Sequence, residues 1–337
     1  MKLSQDGTIL VTGGAGFIGS ALICELNRRG FDNILVADFM GDDGKFRNLV
    51  PLRFMDYVEA DTLLRLVERN DALVGDIGHI FHLGACASTA ECDMSYLIGN
   101  NYEYGKKLAN FAESRGIRFL YASSAATYGD GSRGMSDAQN FHRLRPLNAY
   151  GYSKYLFDQY AARNNLHAYG MKYFNVFGPN EYHKRDMRSM VLKSYESIRE
   201  NGKIYLFKSH RAEYADGEQM RDFLYVKDAV AMTIFLSEIP DVIDGISTHG
   251  LYNIGSSAAS TWKELAQSIF DAMGMEMSVE FVDMPHDLRD RYQYHTRADI
   301  SKLRAVGYSG EITPLKDAVS DYVTNYLACG MKVMDPD

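Results

Sequence analysis

The chain has little of several things. One tryptophan, Trp262, seven prolines and four cysteines are all that 337 residues contain. With so few prolines and no Pro/Gly-rich stretch, there is no linker, low-complexity run or internal repeat to divide it. Cys24, Cys86, Cys92 and Cys329 form no C-x-x-C pair and have no metal-ligand spacing, which sets aside a disulfide framework and a zinc site. They read as reduced thiols of a cytoplasmic protein. Long apolar runs are missing too. Met1 to Ser4 lead into a short apolar strand without the pattern of a signal peptide, and no later run approaches a membrane span. Nor is there a surplus of positive charge. Lys and Arg number 36 against 44 Asp and Glu, a net charge of −8, so a broad nucleic-acid surface or an anionic membrane is excluded as partner. Local basic clusters leave a phosphorylated small molecule open. What is present, 46% hydrophobic and 24% charged residues, is enough for one large domain or two smaller ones with real cores.

Strand and helix signals alternate. Thr8 to Val11 is a β-rich run, and a helical pattern follows to about Arg29, with Gly30 as its stop. Between them stand Gly13, Gly16 and Gly19 in G-x-x-G-x-x-G spacing. Glycine permits a tight turn and close approach of backbone to a pyrophosphate at a helix N-terminus. A second strand, Asn33 to Ala37, ends in Asp38, where a carboxylate should meet an adenosine ribose. That acid argues for NAD, because it repels a 2′-phosphate; Lys45 and Arg47 follow closely and offset it, so NAD against NADP stays open. Further strands are predicted at His79–Leu83 and Ile117–Ser123, and helices at about Asp61–Asn70 and Ser95–Arg115. This alternation makes the fold class α/β, with a parallel, doubly wound sheet. Gly84-Ala85-Cys86-Ala87 after the fourth strand would let a cofactor lie against backbone. Cys86 reads as a small packing residue there, since no histidine base stands beside it.

The chemistry centres on Tyr150-Gly151-Tyr152-Ser153-Lys154. A Tyr and a Lys four apart on a helix share one face. A free phenol, with a pKa of about 10, is a poor base, and a nearby ammonium stabilises its phenolate. The spacing alone also fits an ordinary amphipathic helix. Ser124, at the carboxyl end of the fifth strand, is where a hydroxyl would hold the oxygen that Tyr150 deprotonates.

Glycine turn, strand-five serine and Y-x-x-x-K in this order resemble the extended short-chain dehydrogenases/reductases that act on nucleotide sugars. Within them, three strings are most similar to the 6-epimerases of ADP-heptose: Phe119-Leu120-Tyr121-Ala122-Ser123-Ser124-Ala125-Ala126-Thr127-Tyr128-Gly129, Tyr150 to Asp158, and Tyr173-Phe174-Asn175-Val176-Phe177-Gly178-Pro179. Dehydratases of the superfamily carry an Asp-Glu pair where this chain has Ala125 and Ala126, so the resemblance implies epimerisation or oxidation rather than loss of water. It implies inversion at C6 of an ADP-heptose, through a transient 6-ketone, for the heptose of lipopolysaccharide inner cores. The alternatives are a UDP-hexose 4-epimerase or another nucleotide-sugar epimerase or reductase, and, of another class, a non-catalytic NAD(P)-binding sensor. Tyr150 and Lys184 would be the two acid/bases, Ser124 and Lys154 their helpers. The cofactor, NADP with NAD possible, would meet Gly13, Gly16, Phe17, Ile18, Gly19, Asp38, Phe39, Lys45, Leu83, Gly84, Ala85, Cys86, Ala87, Asn100, Lys154 and Val176. The nucleotide sugar would meet Asn175, Asp186, Lys193, Phe207, Lys208, Ser209, Arg221 and Tyr292. No metal is implied, and a homo-oligomer is expected. The segment from Ser209 to Arg221 is longer than the family pattern, Lys208 replaces a usual acid, and Ala60 replaces a lysine that many members direct at NADP. The resemblance implies a Rossmann-type cofactor domain over 1–176 and 226–257, with a smaller interleaved α/β substrate-binding lobe over 177–225 and 258–329, and 330–337 as a tail.

Overall fold

The computed structural model of the protein describes residues 3–5, 7–289 and 292–337. Its strands, in chain order, are β1 (Thr8–Thr12), β2 (Ile34–Asp38), β3 (Asp56–Glu59), β4 (Ile77–His82), β5 (Arg118–Ser124), β6 (Ala168–Tyr173), β7 (Asn175–Phe177), β8 (Ile204–Phe207), β9 (Met220–Tyr225), β10 (Val242–Ile243), β11 (Ile246–Ser247), β12 (Gly250–Ile254), β13 (Ala259–Thr261) and β14 (Val279–Val282). The helices used below are α1 (Phe17–Arg28), α2 (Ala60–Glu68), α3 (Met94–Leu97), α4 (Tyr104–Arg115), α5 (Ala149–Arg163), α6 (Met190–Asn201), α7 (Val226–Glu238) and α8 (Trp262–Met273).

Seven strands form one parallel sheet in the order β12-β6-β5-β4-β1-β2-β3. Every residue of β1 and β2 is buried, as continuous apolar runs must be when helices cover both faces. One core, with Leu22, Ile23, Val230 and Ile234, lies on the face covered by α1 and α7. The other, with Leu63, Leu108, Phe119 and Phe157, lies under α2, α4 and α5. The chain moves outward from β1 in one direction through β2 and β3, then in the other through β4, β5 and β6. Ligands bind outside the carboxyl ends of strands at such a reversal.

Two boundaries differ from the sequence reading for physical reasons. β3 went unread because it is a short edge strand whose Asp56 and Glu59 are exposed, so no apolar run marks it. The helix expected over Ser95–Arg115 is broken by a π-helical stretch, Ile98–Glu103, between α3 and α4. Inside it, the buried Asn101 side chain accepts the Cys86 amide at 2.8 Å and donates to the Cys86 carbonyl at 3.0 Å and to Ser153 Oγ at 3.0 Å. The widened turn brings this amide inward, between the loop after β4 and α5.

Smaller sheets stand beyond the carboxyl ends. β9 pairs β7 in parallel and β13 antiparallel, and β8 pairs β14. The fully buried Asp222 of β9 accepts the amides of Ser256 (2.6 Å), Ser257 (3.0 Å) and Ala298 (2.9 Å), which ties the loop after β12 to this sheet. No described helix is long and apolar enough to cross a membrane.

Candidate active site

The glycine turn closes against the loop after β4. Gly13 has φ +67°, and a Cβ there would lie 2.6 Å from the Gly84 backbone; one at Gly19 would lie 2.1 Å from the Gly13 carbonyl. Gly16 caps α1 without a side chain, so the amides of the first turn remain open to an anion. This cradle, which any side chain would fill, fits the diphosphate of a nicotinamide dinucleotide. Asp38 ends β2 beside it. Its carboxylate accepts Ala15 N at 3.0 Å and Phe39 N at 2.8 Å, and meets Lys45 Nζ at 3.2 Å. Burial pushes the Asp38 carboxyl up, against the pull of Lys45. A cavity of about 170 Å³ at this end is lined by Asp38, Phe39, Lys45, Ala60, Cys86 and Asn100. Along the turn, a second of about 500 Å³ runs from Gly13, Gly16 and Gly19 past Leu83 to Ala87 and reaches Lys184.

Ser124 closes β5. Its Oγ accepts the Ala126 amide at 3.1 Å, capping the short helical turn Ala125–Tyr128, and Ser124 opens with Tyr150 onto the same cavity. Helix α5 starts after Asn148, whose Oδ1 accepts Gly151 N at 2.7 Å. A Cβ at Gly151 would stand 2.9 Å from the Ala126 carbonyl, so the first turn of α5 lies directly on the turn after Ser124. That contact brings Tyr150 to Ser124. Lys154, one turn on, donates to the Ala122 carbonyl at 2.8 Å. Burial pulls its ammonium down to about 8. Burial also pushes the Tyr150 phenol up, and the neighbouring Ser124 hydroxyl only opposes it. The acidified tyrosine expected from the Y-x-x-x-K spacing is not seen in the protein alone, where burial dominates the Tyr150 phenol and Lys154 donates to a carbonyl.

Lys184 comes from the short helical turn Tyr182–Met187. Its Nζ lies 5.1 Å from the centre of the Phe17 ring, and burial pulls its pKa down while Glu181 opposes. Ser124, Tyr150, Lys154 and Lys184 all line one cavity of about 360 Å³, with Phe17, Ile18, Asn175 and Val176. Next to it a cavity of about 540 Å³ is lined by Ser124, Tyr150, Asn175, Arg221 and Tyr292. There the Arg221 guanidinium lies 4.8 Å from the Tyr292 ring centre and 5.6 Å from that of Trp262, while Trp262 Nε1 donates to the Tyr292 hydroxyl at 2.8 Å. Two aromatic faces hold this buried cation, which donates to Met220 O at 2.9 Å, and its further donors suit a phosphate.

Other residues singled out from the sequence are engaged by the protein itself. Lys193 Nζ donates to the Asp186 carbonyl at 2.5 Å. Lys208 pairs with Asp283 at 3.3 Å, and the Ser209 amide is held by Asp216 at 2.7 Å. Phe207 meets Tyr292 edge-on, ring centres 6.4 Å apart. Sequence reasoning missed Trp262, although a lone tryptophan could have drawn notice. It also missed Asn48, Asn101 and Asn180, whose roles depend on partners far along the chain. Among the described residues no group of three or more His, Cys, Asp or Glu could hold a metal.

Residues 9–255 match the NAD dependent epimerase/dehydratase family. The chain is 46% identical over 322 residues to an ADP-L-glycero-D-manno-heptose-6-epimerase of Nitratidesulfovibrio vulgaris, covering 95% of this chain and 98% of that one. A protein of the same name from Fusobacterium nucleatum is 42% identical over 333 residues, covering 95% and 98%. Among solved structures, Helicobacter pylori ADP-L-glycero-D-manno-heptose-6-epimerase superposes with a TM-score of 0.79 at 25% identity, over 95% of this chain and 96% of that one.

Proposed function

The chain belongs to the NAD dependent epimerase/dehydratase family, and from that premise we propose that it inverts C6 of the heptose in ADP-D-glycero-D-manno-heptose to give the L-glycero isomer. The observation that carries this reading is the single cavity onto which Ser124, Tyr150, Lys154 and Lys184 all open. Inverting a carbinol through a ketone needs the hydride removed from one face of the carbon and returned to the other, so the oxygen points differently in the two half-reactions. Where only the C6 end turns over, one orientation uses Tyr150 and the other a separate proton-transfer group, Lys184. A dehydratase would need an acid where Ala125 and Ala126 stand.

Bound along the glycine turn, a nicotinamide dinucleotide supplies the hydride acceptor and donor. We take it as NADP, because Lys45 beside Asp38 offsets the repulsion between that carboxylate and a 2′-phosphate. Lys154 holds the nicotinamide ribose. Tyr150 takes the proton of the 6-hydroxyl, whose oxygen Ser124 holds by a hydrogen bond. The heptose end then turns over as the 6-ketone, and Lys184 exchanges the proton at the other face. Arg221 grips the diphosphate with Tyr292 beneath it, and Asn175 meets the sugar. The cofactor domain comprises 1–176 and 226–257, the substrate lobe 177–225 and 258–329, and the subunits form a homo-oligomer.

Purified protein, supplied with either dinucleotide, should convert ADP-D-glycero-D-manno-heptose to the L-glycero isomer and leave UDP-glucose untouched. Conversion of UDP-glucose alone, or of neither, would overturn the reading.

A further inference from the structure

Residues 331–337 run back across the molecule to the helix that carries the glycine turn. Met334 is 2% exposed, and its amide donates to Asn180 Oδ1 at 2.8 Å. Tyr182 donates to the Lys332 carbonyl at 2.7 Å, Arg28 of α1 to the Asp335 carbonyl at 2.5 Å, and Arg53 pairs with Asp337 at 3.0 Å. Asn180 is fully buried and adopts φ +79°, a left-handed conformation that asparagine tolerates. Its Nδ2 donates to Ser20 Oγ at 2.9 Å, on α1 one turn beyond Phe17. Its carbonyl accepts Asn48 Nδ2 at 3.0 Å, and the same amide group holds the Ala15 carbonyl inside the glycine turn at 3.0 Å. Four residues after Asn180, the Lys184 ammonium rests on the Phe17 ring.

We propose that Asn180 and residues 332–335 form the positioning device for Lys184, locking the turn that carries it onto α1 so that its ammonium faces the cavity shared with Tyr150. The proposal rests on the reading of Lys184 as second acid/base. The logic is one of complete pairing. Both ends of a buried amide are satisfied, one by α1 and one by the returning chain, so removing either partner leaves a buried polar atom without one. The turn then has reason to leave α1, and a displacement of about 1 Å at a reacting group costs about 10²-fold in rate.

Two variants test this: a chain ending at Met331, and Asn180→Ala. Each should lower kcat for C6 inversion by about 10²-fold with little change in KM. Adding Lys184→Ala to either should cost almost nothing more, whereas adding Tyr150→Phe should multiply the loss. An unchanged kcat, or a loss that multiplies equally with both substitutions, would overturn the proposal. A second measurement needs no turnover. Acetylation of Lys184 by acetic anhydride, read by mass spectrometry on the folded protein, should speed up several-fold in both variants while that of Lys106 and Lys316 stays constant. An unchanged rate at Lys184 counts against the proposal even if ADP-heptose proves not to be the substrate, and inactive wild-type protein with a faster Lys184 in the variants would separate the two readings.

Discussion

Lys172 Nζ lies 2.5 Å from Asp158 Oδ2, and both side chains are almost wholly buried beneath the turn of α5 that carries Lys154. Ser123 and Tyr121 also donate to the Asp158 carboxylate, at 2.8 and 3.1 Å. Lys172 reaches Thr127 Oγ1 at 2.6 Å, and Thr127 in turn donates to the Ser124 carbonyl at 2.8 Å. The pair therefore joins β6, the end of β5 and α5, the elements on which Ser124 and Tyr150 depend. Removing one member leaves an uncompensated buried charge, so Asp158→Asn or Lys172→Met alone should destabilise by about 3–5 kcal/mol. The paired change Asp158→Leu with Lys172→Met should recover most of that stability. Urea unfolding of the three variants checks the expectation, and a double variant no better than the singles would contradict it.

Tyr150→Phe and Lys184→Ala should each leave measurable inversion, because each removes one of two proton-transfer groups worth about 10²–10⁴-fold. Combining them should be far worse. Equal and complete loss in both singles would mean that the two groups do not act independently.

Dinucleotide affinity should depend on pH through Lys154. Its ammonium is pulled down to about 8, so the group is charged below that pH and loses its charge as pH rises through it. Binding that uses the charge should weaken above about pH 8, well before an ordinary lysine would titrate. The same depression bears on stability in the opposite sense. Between about 8 and the ordinary value of 10.5 the unfolded chain holds a proton that the folded chain does not, so this group makes the fold more stable as pH rises there. Titration of dinucleotide binding from pH 7 to 9.5, with Lys154→Met as the flat reference, measures the first effect.

Lys45→Ala should weaken NADP binding by about 10-fold or more, the range of a lost charge-assisted hydrogen bond, and leave NAD binding equal or tighter. Asp38→Asn should weaken NAD instead. The nucleotide released from denatured wild-type protein, identified by mass spectrometry, should be NADP. NAD released alone would assign Lys45 to its pairing with Asp38 and Asp43 only.

Much of the site could be read in one dimension because its logic is local. Gly13, Gly16 and Gly19 mark a turn through their spacing between a strand and a helix, and Tyr150 and Lys154 share a face through helical periodicity. Asp38 follows from strand length, and the doubly wound sheet from the alternation of apolar runs with amphipathic ones. Backbone geometry forces each of these whatever surrounds it.

What the tertiary structure decided is pairing across distance. Lys208 and Ser209 meet Asp283 and Asp216, partners that no local pattern in the sequence announced. Lys154 looked ready to acidify Tyr150 until the buried strand end offered it the Ala122 carbonyl. Asn180 and Met334 stand 154 positions apart, as Asp158 and Lys172 stand on separate elements, and no period connects them. Such partners are chosen by burial: once water is excluded every polar group must find another within reach, and only the packed chain determines which one that is.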